Sequence, residues 1–233
     1  MGGGGMARQD RAIRTRQTIL TAAAKVFEER GYQAATITEI LTTAGMTKGA
    51  LYFHFPSKED LALGVLSEQD QRLTVPARAC KIQEAVDVIT LHAHRLQTNP
   101  MVRAGVRLSL DQQAHGLDRT GPFLNWSRVI GGLLEKAREQ GELLPHVKPA
   151  ETADVIVGSF AGIQAMSQAL TGYQDLNNRV SAWLRHLLPN IALSSVLTSV
   201  DLTTQRGGAV IAEIEDDTED PPRPATEREP ATG

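Results

Sequence analysis

The chain has 233 residues, enough for a sizeable buried core, with ordinary apolar (41%) and charged (22%) fractions. A net charge of −3 excludes a uniformly basic nucleic-acid coat. The single cysteine, Cys80, excludes an intrachain disulfide framework or a Cys-based zinc site.

The N-terminus, with glycines 2–5, has no apolar stretch resembling a signal peptide, and residues 1–8 are expected to form a flexible lead. Ile13, Ile19, Leu20, Ala23, Val26 and Phe27 recur at helical spacing and predict a first helix with Gly31 as its stop. Thr36-x-x-Glu39 is a capping box in front of Ile40 and Leu41, and Gly45 ends that second helix. Thr47 is the expected N-cap of a short third helix reaching about His54. Pro56-Ser57 breaks it, and Ser57-x-x-Asp60 starts a fourth helix through Leu61, Val65 and Leu66 to about Leu73. Longer helices are predicted over 81–97, 101–115, 122–140, 151–171 and 175–199, the last broken near Pro189. Pro100, Pro122, Pro145 and Pro149 fall at their boundaries, where a missing N–H costs least. No β-alternation persists, so the fold class is all-α. Ala153 to Leu170 is the most apolar window, but Asp154, Gln164 and Gln168 interrupt it, which predicts a buried helix and no membrane span. A soluble, cytoplasmic protein is expected. Residues 205–233 are acidic, hold four of the eleven prolines and are expected to be disordered.

A helix ending at Gly45, a tight turn and a short helix from Thr47 make the helix-turn-helix plan, whose second helix would enter a major groove. Thr47 and the first-turn N–H groups suit a phosphate, and Lys48 adds a full charge. Gly49 and Ala50 leave room for the DNA, and Tyr52 and His54 can reach it. Leu51, Phe53 and Phe55 are expected to face a small core. Thr38 on the preceding helix and Lys58 at the start of the fourth complete the expected contacts. The same spacing fits a helix-turn-helix that binds no DNA. Charge favours the DNA reading: Met6 to Asp60 holds eight basic side chains, including Arg8, Arg11, Arg14 and Arg16, against six acidic ones. Asp201 to Gly233 holds nine acidic residues against three arginines.

The stretch TRQTILTAAAKVFEERGYQAATITEILTTAGMTKGALYFHFPSKEDL resembles the N-terminal domain of TetR-family transcriptional repressors. Its most specific part is G-x-x-x-G-x-L-Y-x-H-F-x-x-K (Gly45, Gly49, Leu51, Tyr52, His54, Phe55, Lys58). The resemblance implies a homodimer on a pseudo-palindromic operator of double-stranded DNA. Each subunit would have a DNA-binding domain (9–56) and a helical ligand-binding and dimerisation domain (57–204). RAGVRLSLDQQAHGLDRTGPFLNW (103–126), GELLPHV (141–147) and GSFAGIQAMSQ (158–168) are similar to the γ-butyrolactone receptors, which control antibiotic production in filamentous actinomycetes. That likeness implies release by a small hydrophobic signal of the γ-butyrolactone type. Relatives called pseudo-receptors share these motifs and respond to butenolides, furans or antibiotics.

The likeness also implies a pocket around Trp126, with Ile156, Ser159 and Ile163 on one helix and Gln69 on the fourth. Without it, Trp126 reads first as a core residue, and Gln69 fits a solvated face nearly as well as a pocket. The fourth helix, running from Lys58 to Gln69, is the expected link between pocket and DNA. Gly158, Ala161, Gly162 and Ala165 allow close helix approach, and Trp183, Leu184 and Leu187 would join them in a dimer interface. A lactone hydrolase is the other class considered. GSFAG lacks the G-x-S-x-G spacing of a nucleophile elbow and follows no strand. His92-x-His94 diverges on a helix with no acidic partner beside it. The expectation is therefore no enzyme, no cofactor and no metal.

Overall fold

Apolar residues three and four positions apart bury one side of the first helix, α1 (Gly3–Ala34), where Ile19, Leu20, Ala23 and Phe27 are fully enclosed. The computed structural model of the chain describes residues 3–70, 74–111, 114 and 116–219, with only the backbone of 3–7, 69–70 and 217–219. Gly31 interrupts α1 with φ 78° and ψ 169°, a conformation strained for any other residue. Helix α2 (Ile37–Ala44) starts on the expected capping box: Glu39 N–H donates to Thr36 Oγ1 at 3.2 Å and Thr36 N–H to Glu39 Oε2 at 3.0 Å. Gly45 closes α2 in the left-handed region, and Thr47 caps α3 (Lys48–His54) by accepting from Ala50 N–H at 3.3 Å. Ser57 caps α4 (Lys58–Asp70), its Oγ accepting from Asp60 N–H at 3.0 Å. Gly64 lets α4 close on α1, since a Cβ there would lie 2.8 Å from Leu20 Cδ2 and 3.0 Å from Phe55 Cε1.

Helices α5 (Lys81–Thr98) and α6 (Pro100–Leu110) meet at Asn99, whose side chain caps α6 ahead of Pro100. Then come α7 (Thr120–Glu139), α8 (Pro149–Thr171) and α9 (Leu176–Leu187), a 3-10 turn (Leu188–Asn190), α10 (Ser194–Leu197) and α11 (Arg206–Glu219). Two hydrophobic clusters result. One joins α1 to α4; the other lies among α5, α7, α8 and α9. Helix α6 belongs to both: Ala104 and Leu108 enter the first cluster, Val102 and Val106 the second. Alternate faces of one helix thus tie the two cores together.

Three expectations are corrected. The backbone of α1 already begins at Gly3, inside the expected flexible lead. The N-terminal core does not end at residue 56, because Leu61, Ala62, Val65 and Leu66 of α4 are part of it. The expected break near Pro189 is, by contrast, present: α9 ends at Leu187, the turn that contains Pro189 follows, and α10 resumes at Ser194. Residues 206–219, expected to be disordered, form α11 against α5, whereas 220–233 lie outside the described residues.

Charge and close backbone approach dock α11, features that composition hides. Asp87 on α5 is fully buried and receives Arg206 Nε and Nη2, Arg78 Nε and Gln83 Nε2, each at 2.7 Å. Burial opposes its charge, but the bonds from Arg206, Gln83 and Arg78 hold its carboxyl below the usual carboxylate range. Glu213 of α11 accepts from both arginines. A Cβ on Gly207 would fall 2.2 Å from the Thr90 carbonyl oxygen, so the α11 backbone rests directly on α5.

Candidate functional site

Helix α3 is short, so the residues that hold it and those it presents separate cleanly. Leu51 and Phe55, four apart, are buried in the N-terminal core. The outward face carries Lys48, Gly49, Tyr52 and Phe53. Phe53, expected in the core, is 82% exposed because it lies about 200° around the helix from Leu51. Lys48 Nζ sits 5.8 Å from the centroid of the Tyr52 ring. A Cβ on Gly49 would meet nothing within 4 Å, so no packing within the chain requires glycine there.

The remaining expected DNA contacts are less uniform. Thr38 and Thr47 are exposed, although the Thr47 hydroxyl already caps α3. Ala50 and His54 are half-buried, and the His54 ring meets Phe53 edge-on at 5.1 Å. Lys58 is turned inward: its Nζ donates to the Gln33 carbonyl at 3.2 Å and lies 4.7 Å from the Tyr32 ring centroid. Partial desolvation pulls its pKa below the ordinary lysine value. Arg16, part of the basic lead, pairs with Glu68 at 3.3 Å over the Phe55 ring and fastens α1 to α4.

A small cavity of about 40 Å³ lies among α5, α6, α7 and α8, so a ligand larger than a few waters must push its walls apart. Trp126 and Phe160 face each other nearly parallel across it at 6.2 Å, and His92 packs edge-on against Trp126 at 4.7 Å. Ile89, Val106 and Ile156 add apolar wall, and among the described residues no charged side chain lines it. His92 is 4% exposed; burial first and the Arg95 charge second push its pKa down to about 3, so the imidazole is neutral at ordinary pH. His92 Nδ1 and Gln164 Oε1, both in lining residues, have no hydrogen-bond partner among the described residues.

Of the expected pocket residues, Trp126 and Ile156 come together on this wall. Ser159 and Ile163 do not line it. They are half-buried, and the enclosed stripe of α8 runs instead through Ile156, Phe160 and Gln164 at four-residue steps. The Gln69 side chain lies outside the described residues. His92, Phe160 and Gln164 were not expected in the pocket. The available signal was a polar residue at a buried register of a helix.

Two further placements bear on function. Val106 and Ser109 of α6 line the cavity while Ala104 and Leu108 pack into the core that holds α3, so α6 touches both sites. Arg103 of α6 pairs with Glu28, and Arg107 donates to the Glu28 carbonyl, binding α6 to the end of α1. On the outside of α8, Val155, Met166 and Leu170 are 56%, 47% and 65% exposed, with Gly158 and Gly162 between them. Leu184, expected in an interface, is 1% exposed within the subunit's own core because it faces inward from α9. Among the described residues, no helix is long and apolar enough to cross a membrane.

Residues 19–65 match the family model described as bacterial regulatory proteins, tetR family. The chain is 40% identical to the A-factor receptor protein of Streptomyces griseus over 195 residues, covering 84% of this chain and 70% of that protein. The crystal structure of full-length native TylP, a TetR regulator from Streptomyces fradiae, superposes with a TM-score of 0.81 at 42% identity, covering 87% of this chain and 98% of TylP. That of a γ-butyrolactone receptor described as ArpA-like gives 0.66 at 28% identity, covering 89% of this chain and 99% of the receptor. With its helix-turn-helix and a relative matched over most of both chains, this protein belongs to the TetR family of bacterial regulatory proteins.

Proposed function

We propose that the protein is a homodimeric repressor of antibiotic-production genes that leaves its operator when an uncharged signal of the γ-butyrolactone type fills the cavity at Trp126. The observation that carries this reading is α6, which contributes Val106 and Ser109 to the cavity and Ala104 and Leu108 to the core beneath the reading helix. A ligand that pushes the cavity wall moves α6. Helices α1 and α4 follow, and the reading face shifts with them. The relatives support the class of signal, since they include an A-factor receptor and a γ-butyrolactone receptor.

The proposed DNA contacts are Lys48 at a phosphate and Gly49, Tyr52 and Phe53 in the major groove, with Thr38, Thr47, Ala50 and His54 at its edge. Lys58 acts by positioning α4. The proposed dimer face is the stripe Val155, Met166 and Leu170, where the glycines between them admit a second helix at close range. A two-fold dimer should read half-sites about one helical turn apart, or a multiple of it.

The test is a gel shift on the gene's own promoter, challenged with γ-butyrolactones, butenolides and furans. Release by a lactone at micromolar concentration supports the reading. Release by a furan or butenolide alone would assign the signal to that class, and retention on DNA with every compound would refute ligand control.

A further inference from the structure

Helix α5 stands between two different surroundings. On one side Ile89 and His92 line the cavity; on the other Asp87, Thr90 and His94 meet α11. At the angular step of an α-helix these two sets lie roughly 160° apart, so α11 backs α5 opposite the cavity. The fastening is specific. Asp87 accepts from Arg206 through both Nε and Nη2 at 2.7 Å, a paired, charge-assisted arrangement of the strong kind. Arg78 bridges Asp87 to Glu213 of α11. Val210 is fully buried on the face of α11 that carries Arg206 and Glu213, and the Gly207 backbone rests where no Cβ fits against the Thr90 carbonyl.

At about 40 Å³ the cavity admits a ligand only if a wall gives way. Backed by α11, α5 is not the wall that yields. We infer that α11 is a brace: it fixes α5, so that a ligand entering the cavity displaces α6 and the core that α6 shares with the reading helix. The brace does not depend on what the signal is; its consequence for DNA rests on the proposed function. Without it α5 would yield in place of α6. Ligand would then enter more readily, yet less of the displacement would reach the DNA-binding face. A helix that merely adds stability sets up no such opposition between affinity and coupling.

The test reads Trp126 in the full-length Trp183→Phe protein, which keeps one of the two tryptophans. Bromobenzene is uncharged, larger than the open space and quenches indole on contact, so saturable quenching measures its entry. Two substitutions release the brace without touching the cavity lining. Arg206→Gln removes the paired bonds to Asp87, and Gly207→Ala sets a Cβ against the Thr90 carbonyl. Apparent affinity scales with the fraction of molecules whose site is open, and each substitution should tighten bromobenzene binding roughly 10-fold. Promoter duplex should weaken bromobenzene in the braced protein, by reciprocity, and lose most of that effect in both variants. Circular dichroism melts verify folding, and if Gly207→Ala does not fold, Arg206→Gln decides alone. Unchanged or weaker bromobenzene binding in the variants overturns the inference. So does an absence of saturable quenching from all three proteins, or a duplex effect that is missing from the braced protein or survives in the variants. If the duplex is not bound at all, the repressor reading fails and the change in bromobenzene affinity decides the brace. If the coupling behaves as expected while no lactone releases the operator, the proposed signal class fails and the brace stands.

Discussion

The N-terminal core and the cavity cluster are both helical, but they leave different things unfinished. Around α3, Ile40 and Leu51 are 0% exposed and Phe55 is 3%, and side chains cap the starts of α2, α3 and α4. Around Trp126, aromatic rings border a cavity of about 40 Å³, and two buried polar atoms have no hydrogen-bond partner among the described residues. The first region is a rigid holder for an exposed face that only another molecule can complete. The second keeps its incompleteness inside. Helix α6 packs into both, so filling one can disturb the other.

The contrast predicts different responses to substitution. The largest stability effect belongs to neither region's apolar core. Asp87→Ala would leave two guanidinium groups facing a buried gap, and losing one partner of a buried ion pair costs about 3–5 kcal/mol. Chemical denaturation should register that loss, with α11 becoming sensitive to protease. Leu51→Ala should cost about 2–5 kcal/mol and remove operator binding with it, since the close-packed holder has no slack to absorb a void. A loss well under 1 kcal/mol would show that the N-terminal core is looser than its burial implies.

His92 gives a pH signature that the N-terminal core lacks. Its folded pKa of about 3 lies below the ordinary 6.5, so the unfolded chain binds a proton that the folded one refuses. Stability from this group is fully present above pH 6.5 and falls as pH drops toward 3, with a slope of up to about 1.4 kcal/mol per pH unit. Denaturant titrations of the unmodified protein and His92→Phe at pH 5.5 and 7 should differ by that slope. Parallel profiles would mean that the imidazole takes up its proton in the folded state. The smallest stability effect is at Phe53: replacement by Ala should change folding by less than about 0.5 kcal/mol while weakening the operator complex. Unchanged operator affinity would remove Phe53 from the reading face.

Much of the first region was legible from local chemistry. Thr36 and Glu39 satisfy each other's backbone partners within four residues, and Gly45 supplies a left-handed cap, so the boundaries of α2 are written in its own residues. Phe53 was misplaced because aromatic content suggested core, whereas helical spacing from Leu51 turns it outward. The second region depends on partners distant in sequence. Trp126 and Ile156 followed from resemblance, but His92 and Gln164 meet only when α5 and α8 pack, and neither helix alone announces a pocket. Asp87 binds Arg206 across 119 positions, an ion pair no local window contains. The acidic composition of the C-terminus therefore looked like disorder although its first turns are tied to α5.

The central claim is that the cavity and the reading face are coupled through α6. The most direct test is calorimetry of a lactone that releases the operator, titrated into the protein alone and into its operator complex. A hundredfold weakening of DNA binding corresponds to about 2.7 kcal/mol of coupling, within the usual range, and must act equally in both directions. The account predicts that operator DNA weakens the lactone by the same factor as the lactone weakens the operator, and that Trp126→Ala removes lactone binding. Equal lactone affinity with and without operator, with binding still dependent on Trp126, would contradict it.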